Sequence, residues 1–172
     1  GSSELLRNDG TGSVTNVATL WGVGASGDIG KTAGFFDVDN DGDLDIFSND
    51  PLTICQNNHG NSSYFVVIAR GIADNVSSGA SPTTPIGARI TVFEAGTTTI
   101  VGHQEIVPSF NQFAPSFRKH FGVDSTALYD ILVRFPSGIE LTTSGVRPDQ
   151  QVYTIGGNSL PNTIEIVEPV LV

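Results

Sequence analysis

Several residue types are scarce in this chain, and their scarcity limits the cross-links and the partners that the protein can have. Methionine is absent, tryptophan and cysteine occur once each, and the only lysines are Lys31 and Lys119. The absence of methionine predicts that the sequence is a piece of a longer protein, and Gly1-Ser2 is set aside as a cloning remnant. A single cysteine, Cys55, excludes an internal disulfide. No apolar run approaches the roughly 18 residues of a membrane-spanning helix, so membrane insertion is not expected.

Positive charge is also in short supply. The chain has 8 basic and 18 acidic residues, which gives a formal net charge of -10. Nucleic acids and anionic lipids bind through Lys and Arg side chains that neutralise phosphate, so neither is an expected partner. Apolar residues make up 38% of the chain and charged residues 15%, a composition typical of a globular protein.

The residues that are abundant favour strands and turns. There are 20 glycines and 9 prolines, with many Thr, Val and Ile residues, and no stretch repeats with the 3.6-residue period of a helix. Short apolar runs alternate with Asx/Gly turns, among them Val14 to Trp21 and the continuous run Tyr64 to Ala69, which suits a buried strand. Later strands recur every 8 to 12 residues, a spacing typical of a β-sandwich or barrel. The predicted fold is therefore all-β, with segments 4–58 and 61–157 and a C-terminal strand or linker at 158–172.

Five aspartates fall within nine residues, in the sequence Asp37-Val-Asp39-Asn-Asp41-Gly-Asp43-Leu-Asp45. Calcium takes six to eight oxygen ligands, and carboxylates separated by one residue converge on it if the backbone curls around the ion. Gly42 is placed to supply the positive φ of that curl. We predict a Ca²⁺ site with side-chain ligands from Asp37, Asp39, Asp41 and Asp45 and a backbone carbonyl ligand from Asp43, whose side chain is expected to face solvent.

An EF-hand shares the first half of this pattern but requires an acidic residue at loop position 12 and helices on both sides. Position 12 is Ser48, and the flanking residues are typical of strands. The EF-hand interpretation therefore fails. We expect the ion to be structural, because no acid/base groups suited to a catalytic metal lie nearby in the sequence.

The segment Gly34-Phe-Phe-Asp37-Val-Asp-Asn-Asp-Gly-Asp-Leu-Asp45-Ile-Phe resembles an FG-GAP (VCBS-type) repeat, the calcium-loop blade of integrin-like β-propellers. Leu5-Leu-Arg-Asn-Asp-Gly-Thr-Gly resembles the end of a preceding blade. The rest of the chain resembles the ASPIC/UnbV domain of the cartilage acidic protein family and its bacterial relatives. The motifs that carry this second resemblance occur in the family's order and spacing: Ile86-Gly-Ala-Arg89-Ile-Thr-Val, His120-Phe-Gly-Val123, Val133-Arg-Phe-Pro-Ser-Gly138 and Gln150-Gln-Val-Tyr-Thr-Ile155.

This resemblance covers about residues 5 to 157 and implies a propeller-blade-like calcium-loop segment packed on a β-sandwich or barrel-like domain. It also implies a secreted, extracellular or cell-surface protein with a non-catalytic role in adhesion or binding. The implied partner is an extracellular protein or glycan, and self-association is open because a lone blade exposes unpaired strand edges. The family offers no catalytic residues to transfer.

One alternative function belongs to a different class. Asp50-Pro51 follows the aspartate loop, and an aspartate can attack its own carbonyl at an Asp-Pro bond, releasing the proline nitrogen and forming an anhydride. Water or a lysine amine would then accept the acyl group, which makes calcium-triggered self-processing the second hypothesis. The structural alternative is an ordinary Asx-Pro turn.

Other polar and aromatic residues have both functional and structural interpretations. Arg89 and Arg134 either bind an acidic ligand or pair with neighbouring carboxylates. Trp21 either belongs to a sugar-stacking surface with Phe110, Phe113 and Phe117 or packs in the core with them, and core packing is favoured. No G-x-S-x-G motif is present, so we assign structural roles to His59, His103 and His120, and Cys55 is expected to be buried and inert.

Overall fold

The computed structural model describes residues 4–23, 33–39, 41–49, 52–58, 63–72, 83–108 and 118–169. These ranges are all-β, which confirms the predicted class, and the helical content among them is a single 3₁₀ turn at Pro148–Gln150. Among these residues, no helix is long and apolar enough to cross a membrane. The strands run in this order: β1 Leu6–Asn8, β2 Val14–Asn16, β3 Ala33–Phe36, β4 Asp45–Asn49, β5 Leu52–Cys55, β6 Tyr64–Arg70, β7 Arg89–Glu94, β8 Ile100–Glu105, β9 Arg118–Gly122, β10 Tyr129–Arg134, β11 Glu140–Val146, β12 Val152–Ile155, β13 Asn158–Pro161 and β14 Thr163–Val167.

The chain divides into two compact units, Gly1–Asn61 and Ser62–Val172. The N-terminal unit contains a two-stranded sheet, β1-β2, and a three-stranded antiparallel sheet in the order β3-β4-β5. Its buried cluster is small and consists of Ala18, Val23 and Ile46. Cys55 packs against this cluster but is only partly buried, so the expectation that it is buried is wrong.

The predicted strand from Val14 to Trp21 is shorter than expected, because β2 ends at Asn16. The Asn16 side chain accepts a hydrogen bond from the Ala18 backbone N–H at 3.0 Å, a local turn that competes with strand pairing. The Trp21 N–H then bonds the Val17 carbonyl at 2.9 Å. Trp21 remains 54% exposed, which corrects its assignment to the core.

The C-terminal unit has a larger core. A four-stranded sheet in the order β11-β10-β7-β8 and a three-stranded sheet in the order β14-β6-β9 both contribute to it. Along β7 and β10 every second side chain enters this core, and the side chains between them, which include Thr91, Phe93 and Leu132, lie outside it. The two sheets therefore enclose one apolar core, whose fully buried members include Phe65, Val67, Ile90, Val92, Ile131 and Val133.

Strand β6 is buried on both faces, which explains its uninterrupted apolar sequence. Phe65 and Val67 face the shared core, whereas Tyr64 and Val66 belong to a second cluster with Tyr153 on the opposite side. The prediction of a buried strand here is confirmed. β6 pairs antiparallel with β9 and parallel with β14, so part of the C-terminal segment 158–172 is a strand.

The end of β10 is anchored by a carboxylate. Asp130 Oδ2 accepts a hydrogen bond from the Gly96 N–H and Oδ1 accepts one from the Gly145 N–H, both at 2.8 Å. These bonds, that from Gly96 first, hold the pKa of Asp130 below its ordinary value. The carboxylate thereby ties the turn after β7 and the irregular end of β11 to one strand.

Candidate metal centre

Four of the five aspartates lie in the connection between β3 and β4, and the fifth, Asp45, begins β4. Phe36 ends β3 and pairs with Asp45, the first residue of β4, so residues 37–44 form the connection. The Phe36 and Phe47 rings pack edge to face with centroids 5.8 Å apart beside the loop. Two paired strands and an aromatic contact thus fix both ends of the loop.

Asp45 is the most deeply placed carboxylate, with no solvent exposure. Its Oδ2 accepts a hydrogen bond from the Val38 N–H at 2.8 Å, and its Oδ1 accepts one from the Asn57 N–H, also at 2.8 Å. Both donors are backbone N–H groups, one on the aspartate loop and one just after β5. Asp45 therefore closes the aspartate loop on one side and holds the chain after β5 on the other.

Asp37 and Gly42 close the turn itself. The Gly42 N–H donates to Asp37 Oδ2 at 3.2 Å. Gly42 has a φ of 98°, a conformation that residues with a Cβ rarely adopt. The prediction that Gly42 supplies the positive φ of the turn is confirmed.

Asp39 connects the loop to a residue that the sequence pattern did not identify. Its Oδ2 accepts a hydrogen bond from Gln56 Nε2 at 2.6 Å, and its Oδ1 lies 3.3 Å from the Asp41 N–H. Gln56 and Asn57 directly follow β5, and the β4–β5 pairing brings them beside the loop. The contact depends on the register of β4 and β5, which the sequence pattern does not specify.

Three of the predicted ligands converge. Asp37, Asp39 and Asp45 each offer a carboxylate oxygen, and these oxygens lie within 4.8 Å of one another, so the group could hold a metal ion. We call these three residues the aspartate triad. Asp41 and Asp43 lie in the same loop but outside the triad, and Asp41 Oδ1 accepts the Asp43 N–H at 2.9 Å.

The Asp43 side chain differs from the expectation that it faces solvent. The residue is half-buried, and its Oδ2 is shielded from solvent without a hydrogen-bond partner among the described residues. A carboxylate oxygen in this state is normally satisfied by a donor, water or cation. The Asp43 side chain is therefore turned into the loop and not toward solvent.

Some of the other predicted residues fall outside the part of the chain that the structure describes. The Asp50-Pro51 bond, His59 and the three phenylalanines Phe110, Phe113 and Phe117 lie outside the described ranges. His103 Nδ1 lies 2.8 Å from Thr91 Oγ1, and the His120 ring stacks on Tyr64 with centroids 5.3 Å apart.

The two arginines singled out in the sequence both meet carboxylates. Arg89 Nε lies 3.3 Å from Glu105, and Arg134 Nε lies 2.7 Å from Glu140. The carboxylate-pairing interpretation is confirmed for both arginines.

Trp21 lies beside an apolar cavity of about 640 Å³ in the N-terminal unit. The Arg7 guanidinium lies 5.9 Å from the centre of its ring, within the range of a cation–π contact. The cavity is also lined by Leu5, Val23 and Phe35.

Comparison with known proteins adds no relative to these observations. A scan against protein-family models gives no match, and a search of the curated proteins gives no significant match. The structure itself establishes an all-β fold and an aspartate triad that could hold a metal ion.

Proposed function

We propose that the chain is a calcium-stabilised, non-catalytic binding module of a secreted or cell-surface protein. The observation that carries this proposal is the convergence of Asp37, Asp39 and Asp45 on the β3–β4 loop. The resemblance of the sequence to FG-GAP and ASPIC/UnbV segments supports it.

Electrostatics favours a cation in the loop. Two unit charges about 4.8 Å apart repel by about 3.5 kcal/mol at an effective dielectric constant near 20. The backbone donors to Asp45 offset part of this repulsion for that residue. Asp39 is exposed, so solvent and salt screen its repulsion with the other two carboxylates. A divalent ion bound among the three carboxylates would still lower their electrostatic energy substantially.

Calcium is the ion that this set of ligands suits best. All the candidate ligands are oxygens, and ligands on opposite sides of a calcium ion lie about 4.6–5.2 Å apart. The triad oxygens all lie within 4.8 Å of one another, close enough for a single ion to contact all three. Asp41, Asp43 and water would complete the six to eight ligands that calcium takes.

The ion's role in this proposal is mechanical. The N-terminal unit has a small buried cluster and exposes Phe35, Leu52 and Ile54 on its sheet strands, so its apolar burial is limited. A bound ion linking β3, β4 and the residues after β5 would add the binding free energy to the stability of that unit. The module would then present its surfaces to an extracellular protein or glycan.

The test is a thermal melt of the whole chain in EDTA and in about 10 mM CaCl₂. We expect calcium to raise the melting temperature, Asp39→Asn to abolish most of the increase, and Glu4→Gln to preserve it. Glu4 is an exposed acid of the same unit, so its variant controls for net charge. An identical melting temperature in EDTA and calcium contradicts the proposal.

A second pair of variants defines the ligand set. Asp41→Ala should lower the calcium-induced increase if its side chain is a ligand. Asp43→Ala should do so less, because a backbone carbonyl is the contribution we assign to that position. Screening the calcium-loaded chain on glycan and matrix-protein arrays then tests which class of partner it binds. Binding that requires calcium supports the proposal of a calcium-stabilised binding module.

A further inference from the structure

A row of four charged side chains crosses the four-stranded sheet of the C-terminal unit. The strand register places Glu140 of β11 opposite Arg134 of β10, Arg134 opposite Arg89 of β7, and Arg89 opposite Glu105 of β8. The neighbours of the arginines in sequence, Ile90 and Val133, point into the core. The four side chains, which we call the charged row, therefore lie on the outer face of the sheet.

The centre of the charged row places two positive charges side by side. Like charges at directly opposed positions on antiparallel strands destabilise the pair. Each arginine meets its glutamate through Nε alone, and among the described residues the Nη groups of Arg89 and Arg134 make no hydrogen bond. Two sets of charged N–H donors thus remain for a ligand between the central strands.

The charged row borders a concave surface of about 410 Å³. That volume lies within the range of about 300–1,000 Å³ that small-molecule sites occupy. Besides three members of the row, the surface is lined by Thr91, His103 and Leu132. Thr91 and His103 hold each other through the 2.8 Å contact between Oγ1 and Nδ1, which fixes polar groups next to the arginines.

We propose that this surface binds an acidic saccharide, with a carboxylate of the sugar held between Arg89 and Arg134. Guanidinium groups bind carboxylates through paired N–H donors. Glu140 and Glu105 flank the arginines and accept hydrogen bonds from sugar hydroxyls, whereas they repel a continuous polyanion such as nucleic acid. All of these residues lie in the C-terminal unit, so the site is independent of the aspartate triad.

The test uses the full chain labelled with ¹⁵N and monitors the arginine Nε–H signals during titration with sodium glucuronate. We expect millimolar binding, with weaker binding of acetate, which lacks the hydroxyls, and of glucose, which lacks the charge. Arg89→Ala and Arg134→Ala should each weaken glucuronate binding at least tenfold, the loss expected from removing a charge-assisted hydrogen bond.

Arg147→Ala is the matched control, since Arg147 pairs with Asp149 in the same unit but lies outside the charged row. The affinity of the Arg147→Ala variant for glucuronate should stay within about twofold of that of the parent chain. Arg89→Lys retains the charge and should still lose several-fold in affinity, because lysine lacks the planar fork. Unchanged binding in the Arg89 and Arg134 variants overturns the proposal, as does acetate binding as tight as that of glucuronate.

Discussion

Replacing Asp45 with asparagine tests how much the aspartate loop contributes to stability, both through its own hydrogen bonds and through calcium. The carboxylate is fully buried, and its two oxygens accept the backbone N–H groups of Val38 and Asn57 at 2.8 Å each. Asparagine retains one acceptor and turns a donor toward the other N–H. The variant therefore loses one charge-assisted hydrogen bond, worth about 1.5–3 kcal/mol, even without calcium.

Calcium should add a second loss to the first. Extracellular calcium modules have dissociation constants near 0.1–1 mM, so about 10 mM calcium corresponds to roughly 10–100 times that constant. The linked stabilisation of the parent is then about 1.4–2.7 kcal/mol. Asp45→Asn should abolish most of this, for a combined loss of about 3–6 kcal/mol in calcium, a large fraction of the stability of a unit this small.

Urea denaturation followed by Trp21 fluorescence is the suitable assay, because Trp21 is the single tryptophan and lies in the N-terminal unit. Free energies of unfolding are compared for parent, Asp45→Asn and Glu4→Gln, each with EDTA and with calcium. A variant as stable as the parent in EDTA refutes the hydrogen-bond argument. A full calcium response in Asp45→Asn refutes its role as a ligand.

Three further predictions concern other parts of the chain. Gly102→Ala should destabilise the C-terminal unit by about 1–3 kcal/mol in urea, because the added Cβ would lie 2.6 Å from the Phe121 ring. Acidification should cost stability through Asp130: its folded pKa is depressed, so its contribution is present above the unfolded pKa and is lost as the pH falls below about 4. The self-processing hypothesis predicts that the chain, incubated with calcium, is cleaved at the Asp50-Pro51 bond. Mass spectrometry would then detect two fragments.

Each of these predictions has its own control. Gly122→Ala adds a Cβ that meets no atom within 4 Å, so it should change stability far less than Gly102→Ala. Asp130→Asn should flatten the acid limb of the stability curve, and an unaltered limb contradicts the assignment. A chain that stays intact for days in calcium ends the self-processing hypothesis.

The local features of the fold were predictable because short-range chemistry determines them. The apolar run of β6 indicated a buried strand, the spacing of 8 to 12 residues indicated the later strands, and Gly42 indicated the left-handed turn of the aspartate loop. The convergence of Asp37, Asp39 and Asp45 follows from their spacing around that turn.

Features that depend on strand register were not predictable. Gln56 reaches Asp39 only because β5 pairs with β4. The apposition of Arg89 and Arg134 requires the pairing of two strands far apart in sequence, and nothing local to either arginine specifies it. The parallel pairing of β14 with β6 likewise depends on the tertiary fold.

The early end of β2 shows local chemistry overriding a hydrophobic pattern. Val14 to Trp21 is rich in strand-forming residues, yet the Asn16 side chain bonds the Ala18 N–H and turns the chain. Asparagine at that position was the warning signal, because its short amide competes with ladder hydrogen bonds.

The most direct test of the central claim is a calorimetric titration of the chelator-treated chain with CaCl₂. We predict one calcium ion bound per chain, with affinity lost in Asp39→Asn and Asp45→Asn and retained in Glu4→Gln. A magnesium titration under the same conditions should give much weaker binding, since magnesium requires shorter, near-octahedral ligation. No heat of binding with calcium at millimolar concentrations, from a folded parent chain, would contradict the account.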